Sequence, residues 1–467
     1  MRLVIIGGSD AGTGAALRAR EVAPDLEVTV VVADAFPNYS ICGLPFYVSG
    51  EVPDPQLLAH RTVAEIEREG VGLLLEHVAS QIDPAGQTVT VVDRRGQARQ
   101  LPYDRLVIGT GAVPVWPDIP GLDLPGVFPL HTMEDSFLVH EHLLRERPES
   151  VVIVGSGYIG LEMADALTLR GLRVTLVGRS PSVLPTVAPS LGRVLEVELG
   201  RHEVEVINGM PVQAIRAEGS RLVVAGPAGF ERSGDVVLVA VGVRPNSELA
   251  AAAGVSTGIK GAIRVNGRME TNLPGVYAAG DCVETWHRLL GRYAYLPLGT
   301  TAHKQGRVAG ENAAGGEREF AGSLGTQVVK VFELVAARTG LRDHEASEAG
   351  FDPVATQVTI WDHKRYYPGA EELLIRVTGD RQSGRLLGVQ MVGPYRSEVA
   401  KRIDIYATAL FHGMRVEELN DLDLSYTPPV SSPWDPVHAA AQAWAKALDQ
   451  RREAEVAAVG VGQSDQG

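Results

Sequence analysis

Val151-Val152-Ile153-Val154-Gly155-Ser156-Gly157-Tyr158-Ile159-Gly160 decides the reading of this chain. A short apolar run breaks into three glycines, a helix-like stretch continues to 169, and apolar residues resume at 174–177. Strand, glycine turn, helix and strand in that order make a βαβ unit of the dinucleotide-binding kind. The glycines have a physical reason. The turn must be tight, the backbone must come close to a pyrophosphate, and the helix N-terminus must offer free N–H groups and partial positive charge to that anion. Gly155, Gly157 and Gly160 are therefore candidate cofactor-binding positions.

Working outward, the same pattern stands at the start of the chain. Apolar residues 3–6 lead into Gly7-Gly8-Ser9-Asp10-Ala11-Gly12, a helix-like stretch follows at 14–22, and a second apolar run at 28–32 leads to Asp34. Ser9 takes the place of the second glycine, so this copy read alone is also compatible with a glycine-rich turn that binds nothing. Its company favours a ligand. Residues 106–108 run into Gly109-Thr110-Gly111-Ala112-Val113-Pro114, with a sister stretch at 239–246, and the strand-like run 271–281 ends at Asp281. A carboxylate there can accept a hydrogen bond from a polyol hydroxyl. Gly7, Ser9, Gly12, Asp34, Thr110, Gly111 and Asp281 thus join the candidate cofactor contacts.

A length of 467 residues corresponds to about three domains. The expected class is α/β: two dinucleotide-binding, Rossmann-like domains plus a C-terminal α+β domain. The first dinucleotide domain occupies 1–115 and 245–324, the second 116–244, the α+β domain 325–450, and 451–467 is expected to be a disordered tail. Strand-like runs at 327–332, 357–360, 373–377 and 386–391 lack glycine-rich turns and precede helices at about 397–411 and 436–448, which suits an antiparallel sheet. Asp435 and Pro436 are an N-cap and a first-turn proline for the last helix.

Composition narrows the function classes. The formal charge of -14 offers no basic face for phosphates, so nucleic acid is not an expected partner. Two cysteines, Cys42 and Cys282, cannot build a disulfide framework or a structural zinc site, and no metal is expected. The N-terminus lacks the layout of a secretory signal, and no apolar run reaches the ~18 residues of a membrane span. The cytoplasm is the expected location.

These motifs, together with Asn38-Tyr39-Ser40-Ile41-Cys42-Gly43-Leu44-Pro45-Phe46, resemble the FAD-dependent pyridine nucleotide-disulfide oxidoreductases. Within that family the stretch is similar to the single-cysteine group of coenzyme A-disulfide reductases, NADH oxidases and persulfide reductases. The resemblance implies FAD in the first domain, NADPH or NADH in the second, and a homodimer whose C-terminal domain serves as dimerisation domain. It also implies that Tyr426 and Tyr367 reach Cys42 of the partner subunit and can donate protons or hydrogen bonds, and that Asn38 and His303 face the substrate. The chain departs from relatives at several places. Tyr47 stands where a second thiol would be, and Asp10 where NADH peroxidases carry a histidine. Glu21, Asn38, Ile41 and Trp434 replace more basic or polar partners of coenzyme A.

Cys42 is the expected redox centre. Placed at the start of a short helix, its thiol is expected to be acidified toward thiolate. It would attack a disulfide or persulfide sulfur, while Cys282 packs quietly. The alternative is an oxidase in which electrons pass to oxygen and Cys42 cycles through sulfenate. The expected strand 173–177 ends in Gly178-Arg179-Ser180, where an NADH-selective site would carry a carboxylate. Arg179 and Ser180 offer donors to a 2′-phosphate, so NADPH is the expected electron donor.

Overall fold

The computed structural model describes residues 1–464, which group into two compact units. The first comprises Met1–Arg179, Met210–His287 and Gly291–Ser323; the second comprises Ser180–Gly209, Arg288–Leu290 and the chain from Leu324 onward.

In the first unit, Arg2–Ile6 lies between Glu27–Val31 and Arg105–Ile108, with Val71–Leu74 and Val276–Ala278 at the edges, all parallel. Short runs of Val, Ile and Leu suit this place, because a parallel sheet is covered on both faces. Helix Asp10–Val22 buries Ala11, Ala15, Ala16 and Ala19, small side chains that let helix Gly299–Ala313 lie closely against it. A second parallel sheet in this unit orders Arg173–Val177, Ser150–Val154, Val236–Val239 and Val127–Pro129. Ala112–Pro114 and Val243–Pro245 pair as an antiparallel ribbon, so the two sister stretches of the sequence are neighbours. Two three-stranded antiparallel meanders, over His77–Pro102 and Ala214–Gly234, carry no motif and were not anticipated.

The second unit holds an antiparallel sheet in the order Gln327–Val331, Leu334–Gly340, Leu386–Pro394, Glu372–Asp380, Pro353–Trp361. Leu334–Gly340 is the strand the sequence hides. Two alanines, an arginine and a glycine give it weak β preference, and pairing on both edges decides its conformation. Helices Val399–Phe411 and Pro436–Ser464 bring Tyr406 and Trp444 into its core, and Trp444 Nε1 donates to the Val354 carbonyl at 2.8 Å. Asp435 caps the last helix by accepting from the Val437 N–H at 2.9 Å. That helix continues through Ser464, correcting the expected disordered tail from 451. Residues 465–467 lie outside the described residues.

Candidate active site

The two glycine turns are built alike. Gly7 has φ +106° and a Cβ there would stand 2.1 Å from the Gly109 carbonyl oxygen; Gly155 has φ +118° and would meet the Ala240 oxygen at 2.2 Å. A Cβ on Gly12 or Gly160 would lie 1.8 Å from the oxygen of Gly7 or Gly155. The protein's own backbone therefore demands the first and third glycines. The second position is different: a Cβ on Gly157 meets nothing within 4 Å, and Ser9, its counterpart, is exposed. Ser9 breaks the motif without breaking the turn. Helices Asp10–Val22 and Tyr158–Leu169 begin at Ser9 and Gly157 with no side-chain cap, leaving first-turn N–H groups free for an anion. The free N–H groups at both turns, with the open space beside Gly157, fit a pyrophosphate.

Other expected contacts are partly committed to the fold. Asp34 accepts from the Phe36 N–H at 2.8 Å. Thr110 donates through its hydroxyl to the Asn246 carbonyl, and the Gly111 carbonyl accepts from the Asn246 N–H at 2.9 Å, which ties the ends of the ribbon. Asp281 follows strand Val276–Ala278 and accepts from the Leu298 N–H. Gln305, fully buried, braces this corner by accepting from the Gly280 N–H at 3.0 Å and donating to Thr285 Oγ1 at 3.1 Å. His303 is exposed on helix Gly299–Ala313, its ring over Gly14.

Cys42 sits in a 3₁₀ turn, Ile41–Gly43, that leads into helix Leu44–Ser49. Its loop is fastened on both sides: the Asn38 N–H donates to the Gly8 carbonyl at 2.7 Å, and the Ser40 N–H to the Leu58 carbonyl at 2.8 Å. Asn38 itself is buried with φ 56°, a conformation asparagine tolerates. This hydrogen bond sets the cysteine loop against the first glycine turn. Tyr47, where a second thiol is absent, is buried and stacks on His140 with centroids 4.8 Å apart. Arg170 Nε donates to the Val48 carbonyl at 2.7 Å.

Cys42 presents an exposed outer surface, yet protein packs closely around its sulfur. That burial pushes the thiol up, and the carboxylates of Glu162, Asp10 and Asp281 push it further. Local packing governs here, and a six-residue helix contributes too little to oppose it. The acids are themselves displaced. Burial, then Asp165, raises Glu162 to about 7; burial, then Asp10, raises Asp281 to about 6. Glu162 was missed from the sequence, although it lies four residues after Tyr158 on the helix that opens at Gly157. Glu162→Gln removes a like charge, so the pH midpoint of Cys42 alkylation by iodoacetamide should move down. An unmoved or higher midpoint would show that Glu162 does not act on the sulfur.

Cys282 is fully buried and donates weakly to the Ile108 and Ala279 carbonyls. Arg179 is exposed just beyond strand Arg173–Val177, with no hydrogen bond or ion pair among the described residues. Ser180 opens the second unit, and its carbonyl accepts from the Gly209 N–H at 2.8 Å. In that unit Tyr426, Tyr367 and Trp434 are exposed. Tyr426 is hydrogen-bonded to Tyr366 rather than Tyr367, whose ring meets His363 at 5.9 Å. Tyr366, adjacent to Tyr367, had no sequence signal to distinguish it. Among the described residues no helix is long and apolar enough to cross a membrane.

Residues 1–306 match the family described as pyridine nucleotide-disulphide oxidoreductase, and residues 326–436 match that family's dimerisation domain. The chain is 36% identical over 437 residues to the NAD(P)H sulfur oxidoreductase (CoA-dependent) of Pyrococcus furiosus, covering 93% of this chain and 97% of that one. It is similar in structure to an NAD-dependent persulfide reductase from A. fulgidus, with TM-score 0.92 and 37% identity over 97% of this chain and 84% of that one. It also resembles an engineered water-forming NADPH oxidase bound to NADPH, derived from the Lactobacillus brevis enzyme, with TM-score 0.92 and 26% identity over 97% of this chain and all of that one. That oxidase carries an aspartate changed to alanine, followed directly by a newly introduced arginine and serine. With paired dinucleotide turns, the match over its first 306 residues and the dimerisation-domain match behind them, this chain belongs to the pyridine nucleotide-disulphide oxidoreductase family.

Proposed function

We propose that this protein is a cytoplasmic, homodimeric flavoenzyme that uses NADPH in preference to NADH to reduce a small-molecule disulfide or persulfide through Cys42. The observation that carries the reading is a single accessible thiol fastened against a dinucleotide turn, with the other cysteine buried away from it. Gly7, Ser9, Gly12, Asp34, Thr110, Gly111 and Asp281 would hold FAD; Gly155, Gly157, Gly160, Arg179 and Ser180 would hold the nicotinamide nucleotide. When bound, the nicotinamide nucleotide would supply the pair of electrons that the reduction consumes and FAD would relay it.

The chain's own residues handle sulfur and protons. Cys42, as thiolate, attacks one sulfur of RSSR, forming a mixed disulfide and releasing one thiolate, which takes a proton. Two electrons and a further proton cleave the mixed disulfide to a second thiol and restore Cys42. The balance is RSSR + NADPH + H⁺ → 2 RSH + NADP⁺. Because burial raises the thiol, a group must take its proton before attack. Asn38 and His303 are the substrate-facing candidates. The exposed Tyr366, Tyr367, Tyr426 and Trp434 support a partner-facing surface, with Tyr426 and Tyr367 aimed at Cys42 of the partner subunit.

Likeness to the water-forming oxidase favours one second reading, an oxidase in which Cys42 passes through sulfenate. The test is turnover of the FAD-loaded protein with NADPH: coenzyme A disulfide or polysulfide should be reduced much faster than oxygen is consumed. Rapid oxygen uptake with NADPH alone, unchanged by added disulfide, would assign the oxidase instead.

A further inference from the structure

A cluster in the second unit brings together three side chains that no redox step uses. Glu198 and His202 are four residues apart at the end of helix Pro189–Arg201, so they share one face. Glu333 follows Phe332 in the two-residue turn between strands Gln327–Val331 and Leu334–Gly340. One ligand atom from each of the three lies within 4.8 Å of the others. We propose that Glu198, His202 and Glu333 form a binding site for a divalent transition-metal cation, with zinc the best match to one imidazole and two carboxylates.

The geometry needs little adjustment. His202 Nε2 stands 2.6 Å from Glu333 Oε2 and 3.6 Å from Glu198 Oε1. Zinc bonded to nitrogen and carboxylate oxygen at about 2.0–2.2 Å in a tetrahedron holds its ligand atoms roughly 3.3–3.6 Å apart. The His202–Glu198 pair already has that spacing, and Glu333, the exposed member, can swing outward by the remainder. Three protein ligands would leave the fourth position to water.

The surroundings are built as an outer shell. Glu198 is 3% exposed, and Arg201 Nη1 holds its second oxygen at 3.0 Å, which leaves the first facing His202. The Phe332 ring stacks on the imidazole, centroids 3.8 Å apart and planes within 7°. Such contacts orient ligands before a metal arrives. Without a cation the arithmetic is poor, since both carboxylates face the same imidazole nitrogen, Nε2, which carries at most one N–H to share between them. A divalent ion answers both. Glu198 and His202 fall in the first matched segment and Glu333 in the second, so the ion would tie those segments together.

The test uses the full-length, FAD-loaded protein, stripped of metal by a chelator. Zinc is titrated in competition with a chromophoric chelator, on wild type, Glu333→Gln, His202→Gln and Cys42→Ser. The last variant is needed because a thiol can also bind zinc. One equivalent per chain that survives Cys42→Ser and weakens more than about tenfold in Glu333→Gln and His202→Gln supports the site. Glu333 is exposed, so its variant reports binding even if the histidine variant folds poorly. No bound equivalent in wild type, or one that persists in Glu333→Gln and disappears with Cys42→Ser, overturns it.

Discussion

Cys42→Ser should leave the protein yellow with bound FAD and cut disulfide or persulfide turnover by roughly a thousandfold or more. A hydroxyl is a far weaker nucleophile toward sulfur than a thiolate, and no other thiol can take over. Cys282 is fully buried and engaged with the Ile108 and Ala279 carbonyls. Cys282→Ser should accordingly keep most activity. Serine is nearly isosteric with cysteine, and the loop is held by the Asn38 and Ser40 backbone rather than by the sulfur, so the fold should survive the change. Flavin content and steady-state turnover measured side by side make the check. Wild-type turnover in Cys42→Ser would remove this residue from the mechanism.

Arg179→Ala should reduce the preference for NADPH over NADH by about 10- to 100-fold, read as the ratio of kcat/KM for the two nucleotides. Hydrogen bonds to a charged group are worth about 1.5–3 kcal/mol, which sets that range. Arg179 has no competing carboxylate to release, because no ion pair engages it among the described residues. Gly178 before it removes the acid that would accept the ribose hydroxyls and repel a 2′-phosphate. The engineered oxidase supports the same logic, since a small residue followed by arginine and serine is the succession introduced there. NADH kinetics should change little. A wild-type preference for NADH, or a ratio untouched by the substitution, would show that the phosphate is read elsewhere.

Much of the fold was legible because its signals are local. Gly7, Gly12, Gly155 and Gly160 are demanded by backbone atoms a few ångströms away, and buried parallel strands must read as apolar runs. Ser9 looked like a defect in the motif and is harmless because it is exposed, at a position whose counterpart, Gly157, has open space where a Cβ would stand. What stayed hidden depends on contacts between distant residues. Leu334–Gly340 becomes a strand through its two neighbours, and Gln305 matters only because Gly280 and Thr285 converge on it. The site itself was half legible. The cysteine loop could be read, but the state of its sulfur could not. Three carboxylates from positions 10, 162 and 281 meet only in the folded chain, and with burial they reverse the effect expected from a helix start.

The paired strands Ala112–Pro114 and Val243–Pro245 carry a consequence for how such a chain can be assembled. The polypeptide leaves the first dinucleotide sheet and re-enters it through adjacent, antiparallel neighbours, and the Val115 N–H donates to the Gly242 carbonyl at 2.9 Å across the doorway. Everything between residues 115 and 242 therefore departs from and returns to nearly one point. A stretch bounded in this way can be gained, lost or exchanged as a single insertion without rethreading the host sheet, the condition under which domain insertion is tolerated. The second glycine turn thus sits on a stretch with the topology of a graft, of which residues 180–209 belong to the second unit and would have to be kept when the rest is exchanged at these two joints.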